Sequence, residues 1–502
     1  MSGKGKVYLV GAGPGDAGLI TLKGLKSIQK ADVIVYDRLV SRRLLSHAGG
    51  ECEMIYAGKA PGRHVLNQEE INQTLVEHAN KGLVVTRLKG GDPFIFGRGG
   101  EEAEALFAAG IPFEIVPGVT ASIAVPAYAG IPLTHRKKNS SLTIVTGNED
   151  PLKECSKIPW AQLPEMRTLV FMMGLRNLPK ITARLVAEGM NPETPVAVVQ
   201  WGTTPEQKTV QGTISTIAEI VAQEHIKHPS VIVVGETVDL RQRLKWVEHK
   251  PLFGRRILLV QQREYADDLA DKIEELGGEP VIYSTFETAA APLSHIKRVL
   301  EQTADGEWLL FTGHYEVRYF CQGLMDLGMD IRSLAGLKIA AVNGAIADIL
   351  KGYGVRADLV FNKQASADLV NGINEHGLVG KRVVIPGNSP ANNPFAADLE
   401  TAGVQIEELV VYQTAADTSN CGQLMEQLQQ NKIFGMLLAD AMSVKHFANG
   451  FSQDELSSLF YDVVVTCSGT AAASAAAELG IRVDAVVEEN TAGSLLQAFN
   501  PI

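Results

Sequence analysis

The chain has 502 residues, too many for one hydrophobic core, and roughly two to four domains follow from that length alone. A formal net charge of −11, with no basic block or arm to offset it, excludes nucleic acid as the partner. At 45% hydrophobic and 21% charged residues the composition is globular. No apolar run reaches the ~18 residues that span a bilayer, which excludes a membrane helix.

From the N-terminus, short Val/Ile/Leu runs alternate with helical patterns, predicting α/β domains with mainly parallel sheets. Met1-Ser2-Gly3-Lys4 leads into the first run with no signal-like segment. That run, Val7–Val10, opens into Gly11-Ala12-Gly13-Pro14-Gly15-Asp16. A dinucleotide turn would need a third glycine where Asp16 stands, and Pro14-Gly15 lengthens the turn, so a nicotinamide site is the lesser reading. The next run, Val33–Tyr36, ends at Asp37-Arg38, at the carboxyl end of a strand where α/β folds place ligands. Taken alone, Asp37 reads more readily as a helix cap or an ion-pair partner of Arg38 than as a ligand-binding group.

The run Val84–Leu88 enters the loop Lys89-Gly90-Gly91-Asp92-Pro93-Phe94-Ile95-Phe96-Gly97-Arg98-Gly99-Gly100, and a helix is predicted over Glu101–Ala109. Glycine pairs let a backbone approach a ligand closely. With Asp92, Phe94 and Phe96 between Lys89 and Arg98, this loop suits a flat or nucleoside-bearing ligand with anionic groups. Strands are predicted at Phe113–Val116, Leu142–Thr146, Thr168–Met172, Val196–Val199 and Ser230–Val234. Two further loops, Tyr56–His64 with Lys59 and Arg63, and Thr134-His135-Arg136-Lys137-Lys138, add positive charge. Together these groups would ring a cleft with cations suited to a polycarboxylate.

The pattern breaks over the charged segment Leu240–Pro251 and restarts at Gly254, which sets a boundary: a first unit over 1–240, a linker over 241–253 and a second unit over 254–502. The second unit carries an internal repeat. Gly254-Arg255-Arg256-Ile257 returns as Gly380-Lys381-Arg382-Val383, Gly277–Thr288 as Gly403–Thr414, and Gly354–Asp358 as Gly480–Asp484, at a constant offset of 126 residues. Two copies describe a duplicated lobe, and two such lobes face each other across a cleft. Cys52, Cys155, Cys321, Cys421 and Cys467 are scattered without metal-binding spacing, which fits a reducing compartment and gives no metal site.

Ordered motifs in the first half resemble the S-adenosylmethionine-dependent uroporphyrinogen-III C-methyltransferases of the tetrapyrrole-methylase family, from Val7 to about Val238: GAGPGD (11–16), VYDRLVS (35–41), RLKGGDPFIFGRGGEEAEAL (87–106), VPGVTAS (116–122), AYAGIPLTHR (127–136), FMMG (171–174), VQWGTT (199–204) and VIVVGE (231–236). The resemblance implies two α/β lobes, about 1–135 and 136–240, with S-adenosylmethionine and a tetrapyrrole in the cleft. It implies that Pro14, Gly90, Gly91, Asp92, Ile95, Thr120, Ala121, Met173 and Gly202 hold the methyl donor, that Asp37 accepts a proton and that Lys59 donates one. Arg38, Arg63, His135 and Arg136 would bind substrate carboxylates. The implied reaction methylates uroporphyrinogen III twice to precorrin-2, leaving S-adenosyl-L-homocysteine. Ala121-Ser122 and Thr146-Gly147-Asn148 depart slightly from the family pattern.

The second half resembles uroporphyrinogen-III synthase over about Gly254–Phe499, through GRRILLVQQRE (254–264), WLLFTG (308–313), LKIAAV (337–342), YGVRADLV (353–360), KRVVIPG (381–387) and VVYQT (410–414). The resemblance implies one lobe from about 254–287 with 415–502, another from 288–414, crossovers near Thr288 and Thr414, and no cofactor. It implies ring closure of hydroxymethylbilane, with Thr312 at the substrate and Tyr412 assisting loss of the leaving group. The pocket motifs depart: Gly313 and Tyr315 replace serine and asparagine, and Val342-Asn343-Gly344-Ala345-Ile346-Ala347 lacks the usual glycine and threonine. Two readings stay open, a bifunctional enzyme and a methyltransferase with a silent, tetrapyrrole-binding second half. The resemblance further implies a cytoplasmic homodimer joined through the methyltransferase half.

Overall fold

Branched apolar residues build the first sheet: Val7, Leu9, Val35 and Val85 are wholly buried. They lie on β1 (Lys6–Gly11), β2 (Val33–Tyr36), β3 (Glu53–Tyr56), β4 (Val84–Lys89) and β5 (Phe113–Val116), ordered β3-β2-β4-β1-β5. Every pairing is parallel, so the carboxyl ends of the strands share one edge. The computed structural model describes residues 4–58, 66–149, 156–302, 306–361, 380–388, 396–401, 403–416, 424–425, 428, 432–452, 454–456, 460–488 and 490–499.

The second sheet comprises β6 (Thr143–Thr146), β7 (Leu169–Met172), β8 (Pro195–Gln200), β9 (Lys208–Thr213) and β10 (Ser230–Val234), ordered β6-β7-β10-β8-β9. Only β6 and β7 run parallel here; the other pairings are antiparallel, against the mainly parallel expectation. The short return from β8 to β9 makes a hairpin, which parallel strands cannot use. Sequence reading missed β3 and β9. Both are edge strands, with Glu53, Met54 and Lys208 exposed, so neither shows a continuous apolar run.

The segment expected as a linker is folded onto this unit. Arg241 is buried, donates to the Ala129 carbonyl at 2.7 Å and pairs with Glu248 at 2.7 Å, while the Trp246 ring meets Tyr128 edge-on.

The second half contains β11 (Arg256–Val260), β12 (Glu279–Tyr283), β13 (Phe286–Ala290), β14 (Trp308–Phe311), β15 (Lys338–Ala341), β16 (Leu359–Val360), β17 (Arg382–Gly387), β18 (Gln405–Val410), β19 (Tyr412–Ala416), β20 (Gly435–Leu438), β21 (Val464–Ser468) and β22 (Ala485–Val487). Its two parallel sheets run β12-β11-β20-β21-β22 and β16-β15-β14-β17-β18. Each sheet therefore takes two strands from one copy of the repeat and three from the other. The copies exchange at an antiparallel ribbon of β13 and β19, where Thr288 pairs with its own equivalent, Thr414. The repeated aspartate plays the same part in both copies. Asp358 accepts from the Ile339 N–H at 2.8 Å and Asp484 from the Val465 N–H at 2.9 Å, fixing the same strand end in both sheets.

At the carboxyl edge of the first sheet three backbone segments pack without side chains between them. A Cβ on Gly118 would lie 2.4 Å from the Gly91 carbonyl oxygen and 2.6 Å from the Gly11 Cα, both main chain. Gly118→Ala is therefore expected to destabilise the chain by about 1–3 kcal/mol in urea unfolding, and an unchanged midpoint would contradict this packing.

Candidate active sites

At this edge β4 delivers two cations into the interior. Arg87, 2% exposed, donates to Asp37 Oδ1 at 2.6 Å and to Glu102 Oε1 at 3.1 Å. Lys89 donates to the same Glu102 oxygen at 2.7 Å, and the Glu102 side chain is fully buried. Residues two apart on a strand share a face, so one helical carboxylate reaches both. Burial, then the neighbouring Arg87, pushes the Lys89 ammonium down against the pull of Glu102. Arg98 is spent on the surface, with Glu101 at 2.7 Å. The glycine loop's two flanking cations thus serve protein carboxylates.

The loop itself is held by Asp92, which accepts from the Phe94 N–H at 2.8 Å and the Gly118 N–H at 3.0 Å. Gly91, at φ +70°, exchanges main-chain bonds with Gly13 at 2.7 and 3.2 Å and abuts Thr120 and Ala121. Thr120 caps the helix Ala121–Tyr128 and bonds the buried Ser122 hydroxyl at 3.0 Å, so the departure at Ala121-Ser122 is absorbed locally. Gly202 packs against that helix, where a Cβ would fall 2.3 Å from Val125. Pro14, Gly90 to Asp92, Thr120, Ala121 and Gly202 thus lie along linked loops. Ile95 and Met173 present apolar surface to solvent, 39% and 44% exposed. Phe96, Arg98, Met173, Trp201 and Thr203 all adopt left-handed φ, a strain concentrated in the loops of this cleft.

Asp16, the residue that spoils the dinucleotide pattern, ties the lobes together. It accepts from the Tyr128 hydroxyl at 2.6 Å, and its N–H donates to Thr203 Oγ1 at 3.3 Å. Exposed Arg38 lies over the Trp201 ring at 5.9 Å. His135 closes a local turn, with its N–H on Asn139 Oδ1 at 2.6 Å and its Nδ1 accepting from the Lys137 N–H at 3.3 Å; Arg136 is exposed beside it. Lys59 and Arg63 lie outside the described residues.

In the second half, Thr312 is half-buried between β14 and the helix His314–Asp326. Tyr412 is wholly buried; its hydroxyl donates to Glu316 Oε1 at 3.1 Å and its ring stacks on Tyr319 at 5.3 Å. Burial raises the Glu316 carboxyl to about 7, against the opposing hydrogen bonds from its own backbone and Tyr412. His314 and Asp440, equivalent positions in the repeat, begin the two helices that follow β14 and β20. Burial holds the His314 imidazole down, while Asp440 pulls the other way. Among the described residues no cluster of three or more His, Cys, Asp or Glu side chains could hold a metal ion.

Sequence reading missed Glu102, Glu316 and Asp440. The i, i+2 cations Arg87 and Lys89 on a buried strand were the available signal for Glu102, since buried cations require a counter-charge. Nothing local marks Glu316, which gains its partner only when β19 crosses from the other copy.

The family model for Tetrapyrrole (Corrin/Porphyrin) Methylases matches residues 6–218, and that for Uroporphyrinogen-III synthase HemD matches residues 267–497. The chain is 35% identical to the porphyrin biosynthesis protein HemD of Ruminiclostridium josui, over 98% of this chain and 97% of that protein. It is 56% identical to a uroporphyrinogen-III C-methyltransferase of Priestia megaterium, over 47% of this chain and 99% of that one. A solved uroporphyrin-III C-methyl transferase of Thermus thermophilus, complexed with S-adenyl homocysteine, shows 38% identity over 47% of this chain and 100% of its own, with a TM-score of 0.41.

Two outcomes follow from the buried charges. Glu102→Ala leaves Arg87 and Lys89 facing each other out of water, and a loss of about 3–5 kcal/mol is expected in denaturant unfolding; a loss under 1 kcal/mol would contradict the network. Glu316 binds its proton more tightly folded than unfolded, so the chain should lose stability as pH rises from 4.5 to about 7. The loss is about 3 kcal/mol by linkage, and Glu316→Gln should remove that slope in melts across pH.

Proposed function

The chain belongs to the tetrapyrrole methylase family through its first half and to the uroporphyrinogen-III synthase family through its second, and from that premise we propose two consecutive activities in one enzyme. The second half closes hydroxymethylbilane to uroporphyrinogen III, and the first half methylates that product at carbons 2 and 7 to precorrin-2. The linked glycine loops around Gly91, with the ion-paired Asp37 beside them, are the observation that carries the methyltransferase reading.

The residues present fit S-adenosylmethionine, which supplies an electrophilic methyl group. Gly90 and Gly91 offer main chain with no side chain in the way, and Ile95 and Met173 offer exposed apolar surface for a flat base. A pyrrole carbon that gains a methyl group leaves its ring cationic until a proton departs. Asp37 suits that moment, since Arg87 fixes one oxygen and the other accepts from no described residue. A fixed carboxylate stabilises the positive ring and takes the proton. Arg38 meets the substrate's carboxylates, with Arg63, His135 and Arg136 assigned to substrate and Lys59 to proton donation in the same reading.

For ring closure, Tyr412 and Glu316 form a buried acid pair suited to protonating the departing hydroxyl, with Thr312 nearby on the chain. A cleft without a cofactor acts here by holding the linear chain in shape. The replaced pocket residues, Gly313 and Tyr315, and the complete burial of Tyr412 favour one second reading, a silent synthase half that only binds tetrapyrrole. The family resemblance further supports a homodimer through the first half and a cytoplasmic location.

Full-length chain given hydroxymethylbilane without methyl donor is expected to release uroporphyrinogen III; uroporphyrinogen I alone would establish the silent half. Asp37→Asn is expected to lower the methylation kcat about 10²- to 10⁴-fold while S-adenosylhomocysteine affinity holds, and an unchanged kcat would remove Asp37 from the chemistry.

A further inference from the structure

Where the halves meet, they enclose a chamber of about 650 Å³. Pro14 and Arg38 line it, so it opens onto the mouth of the methylation cleft. Its opposite wall is made of the second half, including Tyr283, Leu424 and Lys432, with Lys250 from the segment between. Cross-half ion pairs fasten the walls: Arg43 to Asp271 and to Glu274, and Arg256 to Glu206 at 2.7 Å.

Those pairs sort the charges of the chamber. Arg43 and Arg256 pair with Asp271, Glu274, Glu206 and Glu279, and Asp16, which accepts from the Tyr128 hydroxyl, is a further carboxylate of the lining. Arg38, Arg42, Lys250 and Lys432 also line the space, and none has a carboxylate partner among the described residues, although Lys250 donates to the Glu274 main-chain carbonyl at 3.4 Å. Two of these cations sit on indole faces, Arg38 over Trp201 at 5.9 Å and Lys250 over Trp246 at 5.4 Å. Cations without a carboxylate partner beside flat apolar surface match a flat macrocycle that carries carboxylates around its rim. The volume falls within the range of about 300–1,000 Å³ that encloses small-molecule ligands.

We propose that the chamber is a composite polycarboxylate site, in which Lys250 and Lys432 hold the rim of the methyl acceptor while the first half acts on it. This rests on the methyltransferase reading. It makes the second half part of the methylation substrate site whether or not that half catalyses ring closure. A macrocycle released from the second half then has a charged station facing the methylation cleft.

The test uses full-length Lys250→Glu and Lys432→Glu, assayed with uroporphyrinogen III and S-adenosylmethionine. Each charge reversal is expected to raise KM for uroporphyrinogen III about tenfold or more, with kcat at saturation and S-adenosylhomocysteine affinity within about twofold of wild type. Lys432→Arg is expected to keep the wild-type KM. An unchanged KM in both reversals overturns the composite site, as does a fall in kcat with KM constant. Should a reversal fail to fold by its melting transition, Lys250→Met or Lys432→Met is read in its place by the same criterion. Wild-type chain that methylates nothing overturns instead the reading beneath the proposal.

Discussion

Glu102 has no contact with water, and it is the anchor for two buried cations. An unpaired carboxylate in that position would be strongly disfavoured, so Arg87 and Lys89 are drawn inward and the end of β4 is held in place. Arg87 then spans from Glu102 to Asp37, and the candidate proton acceptor inherits its orientation from a buried ion pair. The glycine loop begins one residue past Lys89, so its starting direction depends on the same anchor. Main-chain bonds between Gly91 and Gly13, and the Asp92 carboxylate accepting from the Gly118 N–H, carry that order to the neighbouring loops of the same sheet edge.

Much of the first half was legible in the sequence because its core strands are short, apolar and bounded by glycine. Gly90 and Gly91 advertised a backbone that comes close to something, and Pro14 with Asp16 advertised a turn that is not a dinucleotide turn. The positive charge of the loop was misleading. Lys89 and Arg98 look available in one dimension, yet Glu102 and Glu101 are folded against them. Arg87 was read as part of a strand, because its role needs Asp37 and Glu102, which come from separate parts of the chain. The edge strands β3 and β9 escaped notice for a simpler reason: a strand with one neighbour does not need a continuous apolar run.

The repeat in the second half was visible as a constant offset, but its exchange was not. Sequence similarity says that two copies exist; it does not say that each sheet borrows strands from both. The ribbon pairing Thr288 with Thr414 is where the copies trade places. That exchange brings Tyr412 of one copy against Glu316 of the other, a pair invisible to local reading. The packing of the boundary segment was hidden for a related reason. Its charges marked a linker, and two of them, Arg241 and Glu248, pair with each other against the first half.

The central claim is that one chain carries both steps, with the product of the second half as the substrate of the first. The most direct measurement is mass spectrometry of the tetrapyrrole formed when the full-length chain is given hydroxymethylbilane and S-adenosylmethionine with a deuterated methyl group. The account requires a type III macrocycle carrying two labelled methyl groups. An unlabelled type I macrocycle as the sole product would contradict it.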